Sequence, residues 1–311
     1  MLLKDWLSIW LNKYTKHTVK LRTYDRYNYI IEKHINPKLG DYELGDLNGV
    51  ILQDFVLSEL ENGNLKTNGK LSNNSVIGIV NVLKSAMSLA KSLEIIEKDC
   101  SNKIRLPQAT EKPITAYEKH EQSKLEEYCL KSGKANHIGI VICLYTGIRL
   151  GELLALTWED IDFATGIMCI DKTSYRIKEN GTPRIVIDKP KTKNSRRIIP
   201  LPKSLLEILK KIKKKSTSDY VITTRTNGIV GTRAYQRTYE RILSKLDIPY
   251  RNFHSLRHTF ATRAIEMGMD VKTLSEILGH KNPMITLQRY THSMLSYKTD
   301  MMNKMGKNLA V

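Results

Sequence analysis

Cysteine, long apolar runs and a leader sequence are scarce or missing in this chain of 311 residues. Its four cysteines, at positions 100, 129, 143 and 169, form no Cys-x-x-Cys pair, which favours reduced thiols in the cytosol. No apolar run is long enough to span a bilayer, and the opening Met-Leu-Leu-Lys-Asp-Trp lacks the regions of a signal peptide. No cluster of His, Cys or carboxylate residues has the spacing of metal ligands. These absences predict a cytoplasmic protein without a membrane partner or a bound metal.

Acidic residues are few relative to basic ones. The chain holds 50 Lys and Arg against 32 Asp and Glu, a formal net charge of +18 with a sequence pI of about 9.6. Residues 1–107 hold 15 basic and 12 acidic residues, a net of +3, and residues 108–311 hold the other 35 and 20, a net of +15. This excess favours a polyanion as partner, although charge alone would also suit a ribosomal or membrane-surface protein.

The length predicts two domains, of which the first is expected to be helical. The apolar residues at positions 6, 7, 10 and 11 give one helix face. Further helices are predicted at about 20–35, 50–61 and 75–93, with an Asn- and Gly-rich loop at 62–74. This domain is expected to occupy residues 1–107, and residues 108–116 have the composition of a linker.

Residues 117–311 are expected to form the second domain, in which helices mix with short strands. Thr115-Ala-Tyr-Glu118 is interpreted as the capping box that opens it. Strands are predicted near Ile161, Met168, Ile185 and Ile198. The chain shows no internal repeat, and the Lys-rich run at 210–215 is interpreted as a solvated helix face.

The segment from His254 to Tyr290 limits the function more tightly than any other part of the chain. It contains His254-Ser-Leu-Arg257-His258, then Leu-Gly-His280, then Tyr290-Thr-His. Because His254 and Arg257 are three residues apart, they lie on one face of a helix. Arg presents a planar fork that fits two phosphate oxygens, and His moves protons near neutral pH. With the Tyr290 phenol as nucleophile, these groups can bind and attack a phosphodiester without a metal; His258 is interpreted as structural.

Local signals predict how this segment folds. Asp270 is expected to cap a helix over 271–278 that ends at Gly279, which places His280 at the helix exit. Residues 282–283, Asn-Pro, predict the start of a short helix that carries Tyr290.

Two other segments supply further basic groups. An apolar helix over 137–145 is predicted to break at Thr-Gly and restart at Arg149, where Glu152 can orient the arginine. The alternative is a surface Arg-Glu pair of little energetic value. The run Lys-Pro-Lys191-Thr-Lys-Asn-Ser is interpreted as a hairpin turn between short strands at 184–187 and 197–200, from which Lys191 can reach a cleft and give up a proton. Standing alone, this run would be a solvated basic turn.

In these residues and motifs, the chain resembles the tyrosine recombinase family, also called phage integrases. Six residues match the family's motifs in order and approximate spacing: Arg149, Lys191, His254, Arg257, His280 and Tyr290. The long region 173–190 and the Lys-Thr-Lys-Asn-Ser-Arg-Arg-Ile-Ile-Pro-Leu run look most like integrases of phages and conjugative transposons. The match is strong over about the last two-thirds of the chain and looser over the first third.

The resemblance implies a fold. It implies an all-helical core-binding domain, a SAM-like bundle, and a mainly helical catalytic domain with a small antiparallel sheet and a C-terminal tail helix. Related integrases often carry a further arm-binding domain. Here the core-binding helix begins almost at the first residue, so the sequence is expected to be either a member without that domain or a shortened form of a longer protein.

The resemblance also implies a mechanism. Tyr290 would attack a DNA phosphate to give a 3′-phosphotyrosyl bond and a free 5′-hydroxyl, and a second hydroxyl would reverse the step without ATP, metal or other cofactor. Arg149 and Arg257 would clamp the phosphorane, and Lys191 would protonate the leaving oxygen. His254 and His280 would assist by proton transfer and hydrogen bonding, and Glu152 would support these groups from behind.

Partners follow from the same resemblance. The two domains would close around duplex DNA at recombination sites in the bacterial nucleoid, with phosphate contacts from the helical domain at Lys20, Arg22 and Arg26. The protein is expected to be a monomer alone and a homotetramer in the synaptic complex. Apolar positions in 293–311 suit an amphipathic helix that docks on the neighbouring subunit, or else packs on its own domain. Accessory DNA-bending or excision factors are further expected partners.

Two other functional classes stay open at this point. A type IB topoisomerase shares the Arg-Lys-Arg-His-Tyr set but relaxes supercoils without exchanging partners; the helical domain and the Leu-Gly-His motif disfavour it. A non-catalytic DNA-binding regulator is disfavoured by the complete set of six residues. Metal-dependent transposases are disfavoured because the candidate site is basic and has no carboxylate cluster.

Overall fold

The computed structural model describes residues 1–110, 116–179, 182–188, 196–280, 282, 284, 299 and 302–307. The chain divides into two compact units, Met1–Lys112 and Pro113–Val311. Among the described residues, no helix has the length and apolar character needed to cross a bilayer. All four cysteines are free thiols.

The first unit is helical, as predicted. It consists of α1 (Leu3–Ile9), which continues as a π-helical turn over Trp10–Thr15, α2 (Leu21–Ile30), which continues over Ile31–Ile35, α3 (Asn36–Leu39), α4 (Gly49–Asn62), α5 (Asn73–Ser92) and a short 3₁₀ turn, Cys100–Lys103. The predicted apolar face at positions 6, 7, 10 and 11 is buried. The indole of Trp6 donates a hydrogen bond of 3.0 Å to the carbonyl of Ala86, which locks α1 onto α5.

A buried ion cluster lies inside this helical unit. Glu59 of α4 is 1% exposed, and its Oε2 lies 2.7 Å from Nδ1 of His34. Its Oε1 lies 2.7 Å from Nζ of Lys38, which also donates to Ser58. Since a buried carboxylate is costly without partners, these contacts fix the packing of α4 against the end of the second helix.

Seven helices of the second unit lie between residues 119 and 278. They are α6 (Lys119–Lys131), α7 (Ala135–Thr146), α8 (Leu150–Ala155), α9 (Lys203–Lys213), α10 (Thr232–Lys245), α11 (His254–Glu266) and α12 (Val271–Leu278), with a 3₁₀ turn at Trp158–Asp160. Buried residues of α7, α8 and α10 form the centre of its core. Gly139 of α7 permits close packing, because a Cβ there would lie 2.2 Å from the hydroxyl oxygen of Tyr235 on α10.

In the part of this unit that the structure describes, five strands form two small antiparallel sheets. One sheet has the order β1 (Ile161–Asp162), β2 (Ile167–Ile170), β5 (Arg197–Pro200), and the other pairs β3 (Thr173–Glu179) with β4 (Thr182–Asp188). A helical first domain and a mainly helical second domain with small antiparallel sheets confirm the predicted fold class.

The hairpin predicted around residues 189–195 is wrong in its pairing. β4 pairs with β3, whereas β5 pairs with β2, so the two strands that flank this run belong to different sheets. The sequence between β3 and β4 is Asn-Gly, the pair most typical of a two-residue hairpin, and it gives β4 a nearer partner than β5. Residues 189–195 themselves lie outside the described residues.

The start of the second unit also differs from the prediction. α6 begins at Lys119, and its capping box joins Glu118 to Glu121, whose Oε2 accepts from the Glu118 N–H at 2.9 Å. Residue 115, the predicted cap, is outside the described residues. Tyr117 is held in a non-helical conformation because its N–H donates to Oγ1 of Thr259 on α11 (2.8 Å).

Replacing the buried carboxylate of Glu59 tests the ion cluster. We expect Glu59→Ala to lower the free energy of unfolding by about 2 kcal/mol, because it leaves a buried imidazole nitrogen of His34 without its acceptor. The measurement is urea unfolding followed by tryptophan fluorescence in a Trp158→Phe background, so that the signal comes from Trp6 and Trp10 in the same unit. Glu61→Ala, at an exposed position of the same helix, is the control and should change the value by less than about 0.5 kcal/mol. Equal effects of the two variants would show that the cluster does not stabilise the unit.

Candidate active site

The break between α7 and α8 places the first arginine of the site. α7 ends at Gly147, whose φ of 64° is the left-handed conformation that favours glycine. A side chain would not fit there, because a Cβ would lie 2.5 Å from Cδ1 of Phe260. The chain restarts with Arg149 directly before α8, and its N–H donates to Oε2 of Glu152 at 2.9 Å. The predicted break and restart are therefore confirmed.

Helix α11 carries the His-x-x-Arg motif at its first turn. Arg257 is 2% exposed and donates to the carbonyl oxygens of Gly147 (2.9 Å) and Leu278 (2.7 Å). His254 is exposed, and its ring meets that of His258 edge to face at 4.7 Å between centroids. One face of α11 thus joins a buried guanidinium to an accessible imidazole.

A cleft of about 340 Å³ opens beside His254. It is lined by Ile148, Leu150, Gln236, Asn252, Phe253 and His254. Ile148 and Leu150 flank Arg149 in the chain, so the backbone at the start of α8 borders the cleft that His254 lines. The surroundings combine apolar walls with two amide side chains, which suits a ligand with both polar and apolar faces.

Helix α12 delivers the second histidine. Oδ1 of Asp270 accepts from the Thr273 N–H at 2.9 Å, and the helix ends at Gly279 with φ 65°, as the sequence predicted. The N–H of His280 donates to the Ser275 carbonyl at 3.0 Å, and this residue is half-buried. The helix exit therefore fixes the backbone of His280.

Three arginines converge on the last turn of α12. Arg197 Nε donates to the carbonyl of residue 277 (2.5 Å), Arg257 Nη2 to that of residue 278 (2.7 Å), and Arg149 Nη2 to that of residue 279 (3.4 Å). The carbonyl end of a helix carries partial negative charge, so cations are stabilised there. We name these three successive acceptors the carbonyl ladder.

Glu152 links two of the arginines from the other side. Its Oε1 accepts from Nη1 of Arg149 (2.9 Å) and of Arg197 (3.2 Å), and its Oε2 accepts from Arg197 Nη2 (2.8 Å). Burial alone would raise the pKa of Glu152, but the hydrogen bonds and charge of Arg197, then the charge of Arg149, lower it to about 2. The carboxylate is ionised at neutral pH and offsets part of the positive charge.

Of the residues singled out from the sequence, the structure brings together Arg149, Glu152, Arg257 and the backbone of His280, and His254 lies one helical turn before Arg257. Lys191 and Tyr290 lie outside the described residues. In the first unit, Lys20 directly precedes α2, and Arg22 and Arg26 are exposed on it one turn apart.

Sequence reasoning missed Arg197, which it treated only as part of a strand. The signal that could have found it is its place at the first position of a strand, where it is followed by the apolar residues Ile198 and Ile199. Such a residue needs a buried partner.

The arrangement is suited to a dianionic or phosphorane-like group. A guanidinium presents five N–H donors in a planar fork that fits phosphate oxygens. Arg149 is the more accessible of the two motif arginines, since 38% of its side chain is exposed. Over the described part of the chain, no three His, Cys, Asp or Glu side chains are grouped to hold a metal ion.

Comparison with known proteins gives two matching family models. The model described as the phage integrase family matches residues 106–296, and the model of the phage integrase N-terminal SAM-like domain matches residues 2–59. A XerC-like tyrosine recombinase of Caldanaerobacter subterraneus subsp. tengcongensis is 30% identical, and the alignment covers 96% of this chain and 81% of the relative.

Two solved structures show the same fold. A fragment of the Tn1549 transposon integrase in complex with a circular intermediate DNA has a TM-score of 0.78 at 22% identity, covering 98% of this chain and 99% of that one. A lambda integrase tetramer bound to a Holliday junction has a TM-score of 0.68 at 18% identity, covering 91% and 78%.

Glu152 gives the site a testable pH dependence. A carboxyl whose pKa is lowered by folding stabilises the folded state above its ordinary pKa of 4.5, and this stabilisation is lost as pH falls toward about 2. We therefore expect the free energy of unfolding of wild type to exceed that of Glu152→Gln by about 3 kcal/mol near neutral pH. This difference should fall by roughly half or more when the pH is lowered to about 3. Urea unfolding across this pH range is the measurement.

Glu207→Gln is the matched control, because the Glu207 carboxylate pairs with Lys210 on the surface and is 62% exposed. Its stability relative to wild type should hardly vary with pH. If wild type and Glu152→Gln differed in free energy of unfolding by the same amount at both ends of the pH range, the lowered pKa of Glu152 would be contradicted.

Proposed function

The chain belongs to the phage integrase family of tyrosine recombinases, and from this we propose that it is a site-specific integrase acting through a 3′-phosphotyrosyl intermediate. The single observation that carries the proposal is the convergence of Arg149 and Arg257 on the carbonyl ladder, directly before His280 in the chain. The reaction cleaves and rejoins DNA for integration or excision of a mobile element. The likeness to the Tn1549 transposon integrase supports the last point.

Arg149 and Arg257 would bind the non-bridging oxygens of the scissile phosphate. The phosphorane carries more charge than the ground state, so donors held in place before the reaction stabilise it selectively. Such a donor is worth ~3–4 kcal/mol of barrier. The ladder supports this role because it holds both guanidinium groups without a need for substrate.

His254 and His280 would assist by hydrogen bonding and proton transfer, effects worth roughly 10²–10⁴ in rate. Tyr290 is the proposed nucleophile and Lys191 the proposed acid for the leaving 5′-oxygen. Both assignments rest on motif order: Lys-Thr follows Lys-Pro, and Tyr290-Thr-His follows Leu-Gly-His280. Glu152 would hold Arg149 in place.

The division of labour between domains is also a proposal. Residues 1–107 would bind the recombination site, residues 108–116 would link the domains, and residues 117–311 would carry the chemistry. Lys20, Arg22 and Arg26 would contact phosphates, since Arg22 and Arg26 share an exposed face of α2.

Four protomers are proposed to assemble on two DNA duplexes. The likeness to a lambda integrase that is a tetramer on a Holliday junction supports this assembly. A net charge of +18 opposes association until DNA phosphates neutralise it, so a monomer is expected without DNA. Residues 302–307 are helical with Met302 and Met305 exposed, which suits the proposed docking of the tail on a neighbour. Accessory DNA-bending or excision factors and the nucleoid location stay predictions.

Loss of the Tyr290 hydroxyl should abolish covalent attachment to DNA. The experiment incubates protein with a suicide half-site in excess EDTA and resolves the adduct on a denaturing gel. Wild type should give a shifted band, and Tyr290→Phe should give none because it lacks the nucleophilic oxygen. Tyr297→Phe, seven residues further along the chain, is the control and should retain the band. An adduct that persists in Tyr290→Phe would refute the assignment, and strict dependence on added Mg²⁺ would indicate another mechanism.

The acid role of Lys191 has its own test. When the bridging 5′-oxygen is replaced by sulfur, the leaving group needs no proton. Cleavage by Lys191→Ala should therefore be at least about 10²-fold slower on the oxygen substrate and close to wild type on the sulfur substrate. Lys189→Ala and Lys193→Ala are the controls and should show no selective rescue. Rescue of either control instead of Lys191→Ala would move the acid role to that residue.

A further inference from the structure

Arg197 is a buried charge at the first position of β5. Its side chain is 5% exposed, and it donates to both oxygens of Glu152 and to the carbonyl of Ile277. No role in the mechanism described above depends on it. Burying a guanidinium costs free energy even when it is paired, so its contacts must contribute something to the fold or to the site.

The first consequence concerns Glu152. Arg197 occupies both carboxylate oxygens as a fork, at 2.8 and 3.2 Å, whereas Nη1 of Arg149 reaches only Oε1, at 2.9 Å. A bidentate pair is the stronger geometry. Arg197 therefore keeps Glu152 from closing a similar fork with Arg149, and two arginines with one carboxylate leave a net positive charge for the phosphate.

The second consequence concerns α12. Arg197 Nε donates to the carbonyl of Ile277 at 2.5 Å, two residues before Gly279 and three before His280. One side chain thus ties β5 to α8 and to the helix end that presents His280. Arg197 also follows Lys191 by six residues, so it fixes the point at which the chain enters the sheet after the proposed acid.

We propose that Arg197 is a positioning residue for strand cleavage, which holds Glu152 and the end of α12 so that Arg149 engages the scissile phosphate. This inference rests on the proposed function. Arg197 acts through its neighbours and does not contact DNA. Its loss should therefore slow the chemical step while leaving DNA affinity nearly unchanged.

The test separates binding from chemistry. Half-site affinity is measured on native gels, and single-turnover cleavage of a suicide half-site is measured at saturating protein. Arg197→Ala should bind within about 3-fold of wild type and cleave about 10²-fold slower, the loss typical of a small misplacement. Arg197→Lys should recover part of the rate but not all, since an ammonium cannot form the fork. A Lys variant at the wild-type rate would overturn the proposal, and this variant serves if Arg197→Ala does not fold.

A double variant tests whether Arg197 acts through Glu152. Without Arg197, the ionised carboxylate is expected to capture Arg149, and Glu152→Gln should relieve this capture. Arg197→Ala combined with Glu152→Gln should therefore cleave no more slowly than Arg197→Ala alone. Losses that simply multiply would mean that the two residues act independently and would overturn the proposal.

Arg263 supplies the matched control. Its guanidinium also binds both oxygens of a carboxylate, Glu266, and a backbone carbonyl, that of Tyr117, and 15% of its side chain is exposed. Arg263→Ala should change the cleavage rate by less than about 3-fold. An equal loss in both variants would assign the effect to general destabilisation.

The wild-type reaction separates this inference from its premise. Wild type that forms no covalent adduct would overturn the proposed function and the role of Arg197 with it. Wild type that cleaves, together with Arg197→Ala that cleaves equally fast, would overturn the role of Arg197 alone.

Discussion

The carbonyl ladder at the end of α12 is the interaction on which the rest of the site depends. Three guanidinium groups from three different elements meet the oxygens of residues 277, 278 and 279. The three guanidinium groups repel one another, and these acceptors together with the carboxylate of Glu152 offset that repulsion. The helix end and Glu152 together hold a concentration of positive charge that neither could hold alone.

The sequence predicts the local framework of the site well, because the signals are local. Gly147 and Gly279 mark helix ends at which only glycine adopts the left-handed conformation without strain, and Asp270 marks a helix start. The helices of the first domain are predicted to within a few residues, because their apolar faces repeat with the helical period. Spacing within one helix likewise predicts that His254 and Arg257 share a face.

Long-range pairing is what the sequence does not predict. β4 and β5 both satisfy the pattern of a strand beside residues 189–195, yet each pairs with a different strand, and only the assembled sheets decide between partners. The role of Arg197 is hidden for the same reason: its partners lie 45 and 80 residues away in the chain. The start of α6 is likewise set by a distant contact. The N–H of Tyr117 donates to Thr259, 142 residues further along the chain, and the helix begins only after Glu118.

The use of backbone oxygens as the shared acceptor has a consequence for sequence change. A carbonyl is present whatever side chain a residue carries, so substitutions along α12 can alter its packing face without removing an acceptor. The direction of each carbonyl, in contrast, depends on how many residues precede it. One inserted or deleted residue would turn the helix end by about 100° and withdraw all three acceptors at once. This helix is therefore permissive in composition and strict in length.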